Sequence, residues 1–490
     1  MSISVPGLDN PQNVGLLIGD RVVKDTSAGV REHRYAATGS TTGSVPVAGP
    51  AEVDTAVRTA REAFTTWRNQ TVDTRRNLML KLADLVDRDA ARLGELSVLD
   101  NGTPIGFAGS FGPIFADLLR YNAGWADKIQ GDLIPVWPFS AHNYTRPEPY
   151  GVVAVIIPWN GSILGGGMIL GPALAAGNCV VLKPPELTPY AIARLGELVL
   201  EAGFPPGVIN IITGDGGTGD ALVRHPGVDK IHFTGSGPTA RIIIKSASEN
   251  LTPVVMELGG KSANLVFADA PDLDAAAQHA LGQATALSGQ ACIAGSRIIV
   301  EDAIYDDFIN RMTTLAQSVE IGDPMSASTV MGPVISEAAS EKILGFVERT
   351  EKDQAGRLVY GGRRIGGELE DGYFIPPTIF ADVDARSELA QHEVFGPVLA
   401  VMRFKTEDEA VRLANDTEYG LAAWLQTGDA ARVHRVSSQL DVGSVWVNGG
   451  HAPLSMMPFG GVKQSGYGRL GGYAGIQEFT RIKNVWVELS

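Results

Sequence analysis

The chain is 490 residues long with 44% hydrophobic and 19% charged side chains, the make-up of an ordinary globular protein with room for about three domains. Its 55 acidic residues outnumber 40 basic ones, giving a formal net charge of -15, so a polyanion such as nucleic acid is not expected as a partner. Two cysteines, Cys179 and Cys292, are too few for a disulfide framework. The opening MSISVPGLDN has neither the basic nor the apolar region of a secretion signal, and a cytoplasmic location is expected.

In chain order, the first pattern is helical. Val53, Ala56, Val57, Ala60, Phe64 and Trp67 recur at three-and-four spacing, as do Leu78, Leu82, Leu85 and Val86, before DNGTP stops the next helix. The N-terminal third therefore reads as helical, and residues 120–150 read as strands. From Gly151 to Leu182 no side chain is charged. Pro158, Pro172 and repeated glycines would strand backbone groups in hydrocarbon, so the run reads as a buried strand, a turn and a buried helix, with no membrane partner. The short runs VVAVII, CVVLK, VINII and KIHFTG then alternate with helices, one of them read with Thr188 as N-cap, Pro189 at its first position and Gly203 past its end. Such alternation implies a parallel, doubly wound sheet. A second alternating block carries SANLVFA, SRIIVED, PVLAVMRF and VGSVWVN. The closing TRIKNVWVELS reads as a strand, part of an arm or an ordinary sheet edge.

Chemistry concentrates at SGQACIAGSR. A lone cysteine is usually a small buried hydrophobe, but Gly289, Ala291, Ala294, Gly295 and Ser296 around Cys292 suggest open space about the sulfur, as a nucleophile needs. Cys179, in an apolar strand, reads as core. Histidines at no ligand-like spacing, with two cysteines, give no metal site. In VVMELGGK, Glu257 ends an apolar strand before two glycines. It is either a structural acceptor or a base, and partial burial would raise its pKa towards neutrality.

PWN (158–160), KPPE (183–186), FTGS (233–236), ELGGK (257–261), GQACIAGSR around Cys292, EVFGP (393–397) and PFGGVKQSGYGR from Pro458 together resemble the aldehyde dehydrogenase superfamily, over nearly the whole chain. The resemblance implies an α/β fold: a Rossmann-like doubly wound cofactor domain (residues 1–125 and 147–257), a second α/β catalytic domain (258–460) and a small β oligomerisation arm (126–146 and 478–490) joining a homodimer or homotetramer. It implies Cys292 as the nucleophile towards an aldehyde, Asn160 and the Cys292 N–H as oxyanion donors, and Glu257 as the base that hydrolyses the thioester.

The resemblance also implies NAD as cofactor. Lys183 and Glu186 would meet the adenosine ribose, the carboxylate disfavouring a 2'-phosphate, although Glu186 also reads as an ordinary charge ahead of a helix. Gly235 and Ser236 would open a helix towards the pyrophosphate, with Ile156, Pro158, Gly216, Phe233, Thr234, Leu258 and Gly259 around it. Glu393 and Phe395 would hold the nicotinamide end, and Trp159 either lines the same cleft or is core. Substrate-pocket positions are Gly161, Gly165, Met168, Ala291, Ile293, Gly450, Pro453 and Phe459. Gly161, Ser162, Gly165, Met168, Gly450 and Pro453 depart from the bulkier residues frequent in the family. A roomy apolar tunnel for a bulky or long-chain aldehyde is therefore expected, with His451 near its mouth. Ala240 replaces a frequent glycine and Leu470 a frequent acidic residue. The rival readings are a coenzyme A-acylating enzyme, in which the base is often missing, and a non-catalytic member of the fold.

Overall fold

The computed structural model describes residues 3, 5–6, 14–450 and 454–489. Helix Pro50–Trp67 begins where Glu52 returns a carboxylate to the Gly49 N–H at 2.8 Å, and it buries Val53, Ala56, Val57, Ala60, Phe64 and Trp67, the stripe read from spacing. Helix Val72–Arg88 follows, capped by the Thr71 hydroxyl. It buries Met79, Leu82, Ala83 and Val86, while Leu78 and Leu85 are half-buried.

These helices pack on an eight-stranded sheet in the order Arg21–Val23, Leu16–Ile18, Ile209–Ile211, Cys179–Lys183, Val152–Ile156, Lys230–Gly235, Val254–Leu258, Gly466–Tyr467. The strands from Ile209–Ile211 to Val254–Leu258 are parallel, and those outside them pair antiparallel. Strand order reverses between Val152–Ile156 and Lys230–Gly235, which opens a crevice at the strands' C-terminal ends, the usual place for a ligand in an open α/β sheet. Between the first two central strands lies helix Ser162–Ala175, so the charge-free run is the strand, turn and helix read from it. Among the described residues no helix is long and apolar enough to cross a membrane.

The second sheet runs Arg357–Tyr360, Thr378–Ala381, Val398–Phe404, Arg297–Glu301, Ala263–Val266, Ala422–Gln426, Ser444–Val447, parallel except at its first pair. Each face has its own apolar core. In a third sheet Thr480–Glu488 pairs antiparallel with Ala141–Pro149 along its length, and Leu133–Ile134 adds an edge. Leu133 and Ile482 on it, and Trp137 and Phe139 in the turn between two of its strands, face solvent.

Three expectations are corrected. The N-terminal third is not all helical, because Leu16–Ile18 and Arg21–Val23 edge the first sheet and Val30–Arg34 pairs with Thr41–Pro46 as a largely exposed ribbon. Strands of three residues are too short to show alternation. Residues 120–123 belong to helix Phe111–Ala123, and strand pairing starts only at Leu133. Thr188 is not a helix cap: the helix is Tyr190–Ala202, closed at left-handed Gly203 as expected, and its first N–H groups are held by Asp100 from another helix.

Candidate active site

Strand register gathers the first group of residues. Ile156 lies beside Lys183 on one side and Phe233 on the other, Thr234 beside Glu257, and Gly235 beside Leu258. All stand at the C-terminal edge of the parallel strands. Lys183 is buried there, which lowers its pKa, while Glu186 and Asp215 pull the other way. Glu186 lies half-buried in the turn beyond. Gly216 starts helix Gly216–Val223, whose first-turn N–H groups bond to Asp215. Ser236 is the N-cap of helix Gly237–Ala247, yet its hydroxyl pairs with Thr239 Oγ1 at 3.0 Å, so no side chain takes that helix's first N–H groups. An uncapped N-terminus of this kind presents donors and a positive dipole end to an anion. Gly235 allows a close approach: a Cβ there would stand 2.4 Å from the Phe233 ring.

The cysteine loop leaves helix Leu273–Thr285 through Leu287 and Ser288, both at positive φ (50° and 54°), conformations that bulky residues adopt only under constraint. The constraint is visible. Ser288 Oγ donates to the Gly332 carbonyl at 2.7 Å, the Gln290 amide donates to the Leu287 carbonyl at 2.9 Å, and Gln290 Oε1 accepts from the Ile335 N–H at 2.9 Å. Asn160 Nδ2 donates to the Gln290 carbonyl at 2.8 Å, and Asn101 Nδ2 donates to the Trp159 carbonyl at 3.2 Å. The turn Pro158–Asn160 and the cysteine loop are thereby tied together, and a primary amide still has a second hydrogen to offer. Trp159 meets Phe395 edge-on at 5.4 Å.

Open space around the sulfur, expected from the small neighbours, is present in part: Ala291, Cys292, Ile293 and Ser296 are only half-buried, but the two glycines are packed tight. Gly289 is pressed on the Gly396 carbonyl, 2.2 Å from where a Cβ would stand, and Gly295 on the Trp424 ring. The small residues buy close packing. Burial pushes the Cys292 thiol up to about 12, with the Glu393 and Glu257 carboxylates acting in the same direction and the Ile293 and Cys292 N–H groups opposing. A thiol in that setting needs a base or a nearby cation to become a thiolate.

Glu257 is 3% exposed and neither carboxylate oxygen has a hydrogen-bond partner. Burial raises its pKa well above the usual carboxylate value, and Glu478 adds to this while Arg469 opposes it. Glu393 lies over Gly259, where a Cβ would stand 2.1 Å from its carboxylate, and Oε1 accepts from the Gly260 N–H at 3.0 Å. Burial raises it to about 7. Gly260 in turn abuts the Cys292 carbonyl. Ala291 lines a small cleft with Gly260, Glu393 and Phe395.

On the other side of the sulfur, Met168, Ile293 and Cys292 pack against Leu421, Ala422, Trp424, Trp446 and Phe459. Trp424 and Trp446 stack at 4.6 Å. Gly450 (φ 125°) does not widen this side, since a Cβ on it would lie 2.7 Å from Trp446 and 2.8 Å from Trp424. The two indoles fill the space that a side chain at 450 would take. Gly165 leaves room, its nearest neighbour being Ile157 at 3.8 Å from a built Cβ, and so does Gly161 beside Leu164. Pro453 and His451 lie outside the described residues.

The sequence reading missed Gln290, Asn101 and Trp424. Gln290 stands inside the cysteine motif and could have been found there; Asn101 and Trp424 reach the loop only through the fold.

Residues 23–485 match the family model described as the aldehyde dehydrogenase family. An aldehyde dehydrogenase of Alternaria alternata is 42% identical, the alignment covering 98% of this chain and 96% of that protein. The human mitochondrial aldehyde dehydrogenase is 43% identical over 89% of this chain and 85% of its own length. A Bacillus cereus aldehyde dehydrogenase solved as its NAD+ complex superposes with a TM-score of 0.96 at 36% identity, covering 100% of both chains.

Proposed function

The chain belongs to the aldehyde dehydrogenase family, and from that premise we propose that it is a hydrolytic enzyme: it oxidises an aldehyde with NAD and releases a carboxylic acid through a thioester on Cys292. The observation that carries this reading is Glu257, a buried carboxyl with no partner, near enough to Cys292 to raise the thiol's pKa.

The residues present fit NAD. A crevice at the strand-order reversal, an uncapped helix start at Ser236, and the Lys183–Glu186 pair are what a pyrophosphate and a ribose diol require. When bound, the nicotinamide supplies a hydride acceptor and a positive charge. Ile156, Pro158, Trp159, Gly216, Phe233, Thr234, Leu258 and Gly259 shape the crevice, and Glu393 and Phe395 close it towards Cys292. The cofactor-binding unit is assigned to residues 1–125 and 147–257, the catalytic unit to 258–460.

Cys292 attacks the aldehyde carbon once its proton has left, and the charge that develops on oxygen is met by the free Asn160 N–H and the Cys292 backbone N–H. One such donor is worth about 3 kcal/mol in comparable sites. After oxidation the acyl group remains on sulfur, and Glu257 takes a proton from the water that attacks it. Burial makes this carboxyl hold its proton more firmly than an exposed one does, which makes its ionised form a stronger base. A base at this point favours hydrolysis over transfer to coenzyme A.

The substrate is assigned as a bulky or long-chain aldehyde with an apolar body, supported by the apolar wall of Met168, Ile293 and Phe459 and the room at Gly161 and Gly165. The exposed apolar residues of the third sheet support a homodimer or homotetramer joined there. The deciding experiment follows NADH formation from small and bulky aldehydes, with and without coenzyme A, in wild type and Glu257→Gln. A stoichiometric burst without turnover in the variant, and no acceleration by coenzyme A in wild type, is expected. Full turnover by the variant, or dependence on coenzyme A, overturns the hydrolytic reading.

A further inference from the structure

Trp424 touches the cysteine loop and has no part in the mechanism above. It stands in the middle of strand Ala422–Gln426 and is buried. Its indole N–H donates to the Ile293 carbonyl at 3.3 Å. The loop at Gly295 abuts the same ring, because a Cβ there would stand 2.7 Å from Trp424 Cδ1, and the Gly295 N–H is held from another direction by Gln283 Oε1 at 3.0 Å. The indole itself has little freedom to tilt. Trp446 stacks on it at 4.6 Å with an interplanar angle of 21°, and the His279 ring packs against it, also at 4.6 Å. Ile293, the residue so gripped, is bonded directly to Cys292, and both side chains pack against the apolar cluster that contains Trp424.

We infer that Trp424 is a positioning residue for the nucleophile: by gripping the Ile293 carbonyl and backing Gly295 it fixes the loop backbone that follows Cys292 and so holds the sulfur in one orientation. The inference rests on the reading of Cys292 as the nucleophile. A residue that merely filled space would affect the protein's stability and leave the sulfur's reactivity unchanged. A residue that fixes the loop backbone alters the rate at which the sulfur reacts, because a nucleophile that is free to turn loses its alignment on the electrophile.

Alkylation of Cys292 by iodoacetamide reads this without any need for turnover, with the modified residue identified by peptide mass mapping. In Trp424→Phe, which keeps a ring and loses the donor, alkylation at neutral pH is expected to fall about three- to ten-fold, the equivalent of one ordinary hydrogen bond. The turnover number kcat falls by a similar factor, and the KM for NAD is unchanged. Benzothienylalanine at position 424 has the indole's shape with sulfur in place of the N–H, and gives the same result if Trp424→Phe does not fold. An alkylation rate and kcat equal to wild type in the variant that folds, with only the melting temperature lowered, overturns the inference. Cys292→Ser separates it from its premise: turnover surviving in Cys292→Ser defeats the nucleophile reading, whereas loss of turnover there with unaltered Cys292 alkylation in the Trp424 variants defeats the inference alone.

Discussion

Glu257 carries a carboxyl group that the fold buries and leaves without a hydrogen bond, so its chemistry depends on pH in a definite direction. Its pKa is raised, and a general base works only when ionised. The hydrolytic step should therefore slow as pH falls through that raised value and recover as pH rises above it. Pre-steady-state traces should show the burst of NADH outlasting acidification better than the steady rate does. In Glu257→Gln the pH dependence of the steady rate should vanish together with the rate. Asn160 offers a sharper test, since its tether to the Gln290 carbonyl keeps the amide in place in the free protein. Asn160→Ala is expected to lower kcat by about a hundred- to a thousand-fold with a small change in KM, and an equal loss in KM alone would mean that the amide binds substrate rather than the transition state. These residues were legible in the sequence because each sits in a compact motif, whereas the indole at 424 lies in an unremarkable strand and meets the cysteine loop 131 residues away.

Elements show where local reading stops. The stripe of helix Pro50–Trp67 and the runs that became the parallel strands were legible, because amphipathic period and buried β-branched runs are local signals. The start of helix Tyr190–Ala202 was not. Thr188 has the side chain of a cap but its hydroxyl pairs with the Ser162 hydroxyl at 2.5 Å, and the Asp100 side chain, 90 residues upstream, accepts from the Tyr190 and Ala191 N–H groups at 2.9 and 3.0 Å. A cap supplied from across the fold leaves no mark beside the helix. Asp100→Ala would leave two buried donors without partners and is expected to cost about 1–3 kcal/mol, read by denaturant unfolding, while Thr188→Val should cost less. The width of the substrate side escaped for the same reason: Gly450 looked like vacated space until Trp424 and Trp446 were seen to occupy it. Trp424→Ala should accordingly make room for a side chain's worth of added substrate, measurable as a lower KM for larger aldehydes than for small ones.

Across the molecule, two buried histidines tie stability to acidity. His33 bonds to Thr42 Oγ1 and to the Asp100 and Leu187 carbonyls, and burial lowers its pKa from 6.5 to about 4. His232, in the middle of the first sheet, is lowered to about 3 by burial and the Lys230 charge. Their contribution is whole above 6.5, where the unfolded chain is also neutral, and is lost as pH falls through about 4 and about 3, because the unfolded chain takes up protons first. Melting temperature should decline on acidification below 6.5, and His232→Leu should flatten the decline. The first sheet also sets an order of events during synthesis. Strand Val254–Leu258 pairs on its outer side with Gly466–Tyr467, with Glu257 opposite Gly466, and some two hundred residues of a separate sheet intervene. A ribosome emitting this chain must therefore leave Glu257 on a raw edge until Gly466 has emerged, and a nascent protein stalled at residue 460 would display that sticky rim to any chaperone that finds it.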